Sequence, residues 1–221
     1  MRDGRSAWRG MAAVMAALLL SGPAAADPWG SGLLTREAAL QKIRSTQTEQ
    51  RRQGYGRLGE IGTAEDVPLL LSALTDDEEL IRGMAELAIW GIWMRVDDSV
   101  VDPLFQVALD LTQQMKLAEA EAKFDEVLGM KPGFAEAWHR RAEVKVLGDR
   151  WAEAESDFRQ AVDLNPYHFG ALEGLGHCSL HRGRAADAVG FFTRALELNP
   201  NLEGVLEALK RARAIAERDR T

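Results

Sequence analysis

The sequence predicts an all-α fold, a right-handed solenoid of stacked helix pairs, and three observations carry this prediction. A 34-residue interval relates Pro132, Pro166 and Pro200. Within each interval, small and large apolar residues alternate at helical spacing. Only seven prolines interrupt the 221 residues, which leaves long stretches free to form helices. Because each unit of such a repeat buries apolar surface mainly against its neighbours, the pattern predicts a stack of units and not a single compact core.

Each repeat unit is predicted to contain two helices. In the first half, a large apolar residue precedes a small one by four positions, as with Trp138 and Ala142, so both lie on one helical face. In the second half, Ala154, Phe158 and Ala161 form a small–large–small stripe. The same positions recur in all three units, as Phe124, Phe158 and Phe192 and as Ala120, Ala154 and Ala188.

This pattern resembles the tetratricopeptide repeat, a 34-residue helix–turn–helix unit. The resemblance implies three units over residues 98–202, followed by a capping helix over residues 203–221. Two residues depart from the usual pattern. Arg141 occupies a position that is usually aliphatic, and Gly148 lies one residue earlier in its unit than Gly183 does. We therefore expect a distorted turn in the middle unit.

Residues 57–97 resemble a HEAT-type helical unit. A Leu-Gly-x-Ile-Gly segment precedes an apolar helix, and the acidic turn Asp76-Asp77 separates that helix from a second one. Residues 27–56 are predicted to be a tether and a leading helix. The resemblance implies that this unit stacks as a further helical pair at the N-terminal end of the array.

Four large apolar residues crowd the end of the second helix of the HEAT-like unit. We expect them to pack the junction with the first tetratricopeptide unit, because large apolar side chains are usually buried. An exposed aromatic binding site for a partner is the alternative. The four residues are Ile89, Trp90, Ile92 and Trp93.

The first 26 residues are predicted to be a secretory signal peptide. Basic residues precede an apolar run over residues 11–20, and Ala24-Ala25-Ala26 offers a small-residue cleavage site before Asp27. The sequence therefore predicts a periplasmic or secreted protein with no stable membrane insertion after cleavage. An uncleaved anchor is the alternative.

Charge and motifs exclude several functions. The formal net charge of −7 argues against nucleic-acid binding that depends on a basic face. The single cysteine, Cys178, excludes an internal disulfide and is expected to be a small buried residue. Because the phosphate-binding, nucleophile-elbow and metalloprotease motifs are missing, we predict no catalytic residue, no cofactor and no enzymatic activity.

The tetratricopeptide resemblance implies an inner groove lined by the first helix of each unit, and there we predict a binding site for a protein or peptide partner. Chaperone-binding relatives hold a terminal carboxylate with lysine and asparagine in this groove, but neither residue occupies the matching positions here. We therefore expect a basic or apolar segment of an envelope protein as the ligand. The candidate groove residues are Glu136, His139, Glu143, Glu173, His177 and His181.

A metal-binding periplasmic protein is the alternative function. Glu173, His177 and His181 follow one another at four-residue spacing and share a helical face. A carboxylate and neutral imidazoles are ligands for zinc or copper, although all three cannot bind one ion without distortion of the helix.

Overall fold

The structure is a computed structural model that describes residues 34–220. These residues form eleven α-helices and no β-strand, so the predicted all-α fold is confirmed. The predicted signal peptide, residues 1–26, and the start of the predicted tether lie outside the described residues. Within the part of the chain that the structure describes, no helix is long and apolar enough to cross a membrane.

The first four helices form the N-terminal unit. They are α1 (Arg36–Lys42), α2 (Thr48–Ile61), α3 (Val67–Ser72) and α4 (Glu79–Trp93). The predicted boundary at residue 57 falls inside α2. Helices α2 and α4 run in the same direction, because Arg51 near the start of α2 is paired with Asp76 just before α4, whereas Gly59 and Gly91 meet near the two helix ends. The helices approach closely there, since a Cβ atom at Gly91 would lie only 2.5 Å from the carbonyl oxygen of Gly59.

Three helix pairs and a final helix follow. The pairs are α5 (Val101–Gln113) with α6 (Leu117–Met130), α7 (Ala135–Leu147) with α8 (Trp151–Leu164), and α9 (Phe169–His181) with α10 (Ala185–Leu198). Helix α11 (Glu203–Arg218) packs against α10. The phenylalanines of the predicted stripe, at 124, 158 and 192, are fully buried between the helices, which accounts for the constancy of this position.

The turn inside each pair has the same geometry in all three units. Its left-handed residue is Met115, Asp149 or Gly183, with φ of 59°, 60° and 72°, and these three positions are 34 residues apart. The next backbone N–H in each turn donates to the carbonyl five residues earlier, as from Arg150 to Lys145 at 2.9 Å. The expected distortion of the middle turn is therefore wrong, because Asp149 itself adopts the left-handed conformation and Gly148 does not need to.

The unusual Arg141 has a structural partner. Its guanidinium makes two 2.8 Å hydrogen bonds to the carboxylate of Asp157 on the other helix of the same unit. Lys145 donates to the same carboxylate at 2.6 Å, and the Arg141 guanidinium also lies 4.7 Å from the centre of the Trp138 ring. A charge pair and a cation–π contact thus replace the aliphatic packing of this position.

The N-terminal unit does not stack on the end of the array, so that expectation is wrong. The side-chain amide of Asn201, in the turn before α11, donates to the carbonyl of Leu74 at 2.8 Å. Trp90 and Trp93 contact Phe169, at the start of the third pair. Helix α4 therefore lies along the array, because its N-terminal side meets the C-terminal units while its last residues connect to α5.

Replacing Met115 with glycine is expected to stabilise the protein by about 0.5–1 kcal/mol. A left-handed conformation is strained for a residue with a β-carbon, and part of the relief is offset by the greater freedom of glycine in the unfolded chain. The Met115 side chain is 59% exposed, so its removal costs little packing. Urea unfolding measures the difference. Met115→Ala keeps the β-carbon and should give no gain; equal stabilities of the two variants would contradict the explanation.

Candidate functional site: a groove closed by helix α4

The predicted groove residues lie on α7 and α9, and Trp90 of α4 contacts one of them, His139. We call the surface that α7 and α9 present to α4 the groove. Glu136 and His139 are each only 1% exposed, and Glu173 is 9% exposed. Glu143 and His177 are largely buried, whereas half of the His181 side chain is exposed. In this conformation the chain itself buries Glu136 and His139, so their contact with a partner stays a prediction.

Two tryptophans of α4 fill the groove. The Trp93 ring stacks on His168 with centroids 4.6 Å apart, and the Trp90 ring meets the edge of Phe169 at 5.3 Å. Trp90 also reaches His139, 6.0 Å away. Gly170 makes room for this contact, because a Cβ atom there would lie 3.0 Å from the Trp90 ring. Burial of these tryptophans confirms their packing role and rules out the exposed aromatic site, although they pack on the second and third units and not on the first.

A buried polar network lies under the tryptophans. The Nε2 atom of His168 is 2.8 Å from Oε2 of Glu136, and Arg140 donates to the other oxygen of Glu136 at 2.6 Å. Arg140 also donates to Glu143 at 2.9 Å. The Nδ1 atom of His168 accepts the backbone N–H of Ala171 at 3.1 Å and caps α9. Because Nδ1 is an acceptor, the ring proton is on Nε2 and is donated to Glu136.

Burial and charge set the protonation states of this network. Burial would raise the pKa of Glu136, but the Arg140 guanidinium and the two histidines outweigh it and hold the pKa well below its usual range. Burial lowers the pKa of His168 to about 4, with the neighbouring His139 contributing in the same direction. At neutral pH the site therefore contains a carboxylate and a neutral His168.

Neither candidate metal set is well suited to an ion. Glu136, His139 and His168 bring ligand atoms within 4.8 Å of one another. However, both ring nitrogens of His168 already have hydrogen-bond partners, and Arg140 places a positive charge on the Glu136 carboxylate. A neutral imidazole that bound metal through Nε2 would carry its proton on Nδ1, where the N–H of Ala171 points. The buried set is therefore explained as a hydrogen-bond network.

The set predicted from helical spacing is not brought together. Glu173 Oε1 and His177 Nε2 are 3.6 Å apart. His181 turns away and stacks on Trp151, with ring centroids 4.3 Å apart. The aromatic contact directs His181 toward the neighbouring unit, in keeping with the expectation that all three residues cannot bind one ion without distortion.

A cleft of about 760 Å³ remains open beside the groove. It lies between the N-terminal unit and the turns that join successive helix pairs, with Ile92 and Trp93 on one side and residues 130–136 and 164–167 on the other. Met130, Leu164 and Tyr167 line it and are 50%, 44% and 43% exposed. The cleft is therefore an accessible, partly apolar surface at the edge of the groove.

Cys178 is buried in the packing between the second and third pairs, as predicted. Burial raises the pKa of its thiol to about 12. The thiol therefore stays protonated at neutral pH and is not activated as a nucleophile.

His168 is the site residue that the sequence analysis missed. It is in register with Phe134 and Leu202, at intervals of 34 residues, and both of those residues are apolar. A histidine at an otherwise apolar register position was the available signal. Its partner Glu136 was identified as a groove residue, but its role in a buried pair was not.

Comparisons with known proteins support the class of fold. Scans of the sequence against models of known protein families and against curated proteins gave no match. Among solved structures, the first tetratricopeptide domain of Spaghetti (RPAP3), bound to the HSP90 peptide SRMEEVD, is 25% identical with a TM-score of 0.52, covering 55% of this chain and 97% of its own.

Two further structures are similar in fold alone. The Sgt2 tetratricopeptide domain from Aspergillus fumigatus is 17% identical, with a TM-score of 0.52 and coverage of 56% of this chain and 84% of its own. The MamA protein is 15% identical, with a TM-score of 0.51 and coverage of 69% and 84%. Together with the 34-residue register, these similarities show that the chain has the tetratricopeptide repeat fold.

Replacing His168 with asparagine is expected to reduce the pH dependence of stability. The pKa of His168 is about 4 in the folded protein against an ordinary value of 6.5. Between these values the unfolded chain binds a proton that the folded chain does not, so stability falls as the pH falls from 6.5 to 4, by about 3 kcal/mol at most. His168→Asn should therefore be less stable than the wild type at pH 7.5, with a difference that shrinks toward pH 4.

Urea unfolding in the presence of EDTA measures this effect at several pH values. Asparagine can still cap α9, so a loss of the cap is not the main change. His181→Asn, at an exposed position, is the matched control and should leave the pH profile unchanged. A constant difference between His168→Asn and the wild type from pH 7.5 to pH 4 would contradict the prediction.

Proposed function

We propose that the protein is an exported, non-enzymatic scaffold that binds a segment of an envelope partner. Support comes from its tetratricopeptide fold and from the peptide bound to the similar domain of Spaghetti (RPAP3). The observation that carries the proposal is the open cleft beside the groove, with its exposed apolar residues Met130, Leu164 and Tyr167. Apolar residues exposed together in a concave site are typical of binding surfaces.

The chemistry of the site favours an apolar segment as the ligand. The HSP90 peptide bound to the Spaghetti (RPAP3) domain contains three acidic residues. In this chain, the matching face carries Glu136, Glu143 and Glu173, and Arg140 is already paired with two carboxylates. In the cleft itself, Lys131 is paired with Asp98 at 3.0 Å and Arg95 with Asp97 at 3.4 Å, so an acidic peptide would have to displace these carboxylates. Between the apolar and basic segments expected from the sequence, the lining of the cleft supports the apolar one.

Site-specific photocrosslinking in cells tests the cleft. A photoreactive phenylalanine analogue at Tyr167 should capture the partner as a discrete adduct, because Tyr167 is exposed at the mouth of the cleft. The same analogue at Gln160, an exposed position on α8 outside the cleft lining, is the matched control and should give no such adduct. Met130→Glu should weaken the Tyr167 adduct at least about tenfold, because burying an unpaired charge opposes binding. Adducts of equal yield at Tyr167 and Gln160 would argue against the cleft.

Export is tested on the protein purified from cell fractions. The mature protein should be recovered from the periplasm or the medium, with a mass and an N-terminal sequence that begin at Asp27. An intact N-terminus in a membrane fraction would favour the uncleaved anchor. Recovery of the intact chain from the cytoplasm would overturn the exported assignment.

A further inference from the structure

The occupant of the groove shows what kind of side chain the groove accepts. Trp90 and Trp93 are three positions apart and therefore lie on the same face of α4. They are 5% and 8% exposed, although α4 contributes them from outside the array. Ile92 lies away from this face and packs within the N-terminal unit, because its Cδ1 atom would lie 3.0 Å from a Cβ atom at Gly62. The two tryptophans thus occupy the groove of the array as the side chains of a bound ligand would.

The groove selects flat aromatic rings. It offers the ring face of His168 to Trp93 and the Phe169 ring to both tryptophans. The guanidinium of Arg140 lies 5.5 Å from the centre of the Trp90 ring, close enough for a cation–π interaction. Gly170 leaves space at the point where Trp90 enters. Stacked rings and a cation favour aromatic over aliphatic side chains of similar size.

Polar contacts also hold α4 on the array. Glu86 lies beside Asn199, and burial raises the pKa of the Glu86 carboxyl. Arg140 lies 3.7 Å from the sulfur of Met94. The polar members of the groove are paired with one another through Glu136, Arg140 and His168, so they do not depend on α4 for their hydrogen bonds. Removal of α4 would expose a formed site.

We propose that α4 is an intramolecular ligand of the groove, and that the partner presents an amphipathic helix with two aromatic residues three positions apart, which displaces Trp90 and Trp93. The open cleft adjoins Trp93 and gives such a helix a first contact with the array. This proposal rests on the proposed function as an interaction scaffold. The apparent affinity for the partner is the affinity of the open groove multiplied by the fraction of molecules in which the groove is open.

A labelled synthetic peptide of residues 76–95, which contains α4 and both tryptophans, is the probe. The full-length mature protein with Trp90→Ala and Trp93→Ala keeps every groove residue but has lost the intramolecular competitor. It should bind the peptide at least about tenfold more tightly than the wild type does, as measured by fluorescence anisotropy. A peptide with alanine at both tryptophan positions should bind neither protein.

Trp151→Ala is the matched control, because Trp151 stacks on the exposed His181 and lies outside the groove. It should bind the peptide with wild-type affinity. Equal affinity of the wild type and the double variant for the tryptophan peptide would overturn the proposal. Equal affinity of the two peptides for the double variant would overturn it as well.

Hydrogen exchange on the wild type provides a second measurement that does not depend on folding of the variant. A saturating concentration of the tryptophan peptide should accelerate exchange over residues 86–93, and the alanine peptide should not. Unchanged exchange would overturn the displacement. Crosslinking from Tyr167 reports on the cleft separately, so a partner adduct there together with a failed peptide experiment would leave the scaffold function standing and remove only the role of α4.

Discussion

The contact between Trp93 and His168 joins the N-terminal unit to the helix pairs, and it covers the buried polar network of the groove. The stacked rings cover a carboxylate, Glu136, that is buried without access to water. Such burial is costly unless every lone pair finds a donor. Arg140 and His168 supply those donors, and the tryptophans exclude water from the resulting pair. Aromatic packing and the polar network therefore reinforce each other at one place.

The repeat register explains why this contact forms where it does. Regular positions of the register build the stack, because buried phenylalanines and alanines repeat in every pair and the left-handed turn residue repeats with them. Positions that depart from the register carry the interactions specific to this chain. Arg141 replaces an aliphatic residue with an ion pair inside one unit, and His168 replaces an apolar residue with a link between two units.

The groove is occupied by α4, a helix of the same chain, and is therefore not directly open to a ligand. The amphipathic helix α4 divides its apolar residues between the N-terminal unit and the array, so neither part buries them all alone. Such an arrangement couples access to the groove with the packing of the N-terminal unit. The cleft beside Trp93 is the part of the same surface that stays accessible.

The sequence by itself determined the fold class, the helix pairs and the face on which the groove residues lie, because these depend on periodicity within about 34 residues. It also placed Cys178 inside the array. Only the tertiary structure decided that α4 covers the groove. That contact joins distant parts of the chain, and the bond between Asn201 and Leu74 spans 127 residues. Local periodicity predicts that the tryptophans are buried. Their packing partners depend on tertiary contacts between helices that are distant in the sequence, and a short-range sequence pattern contains no information about those contacts.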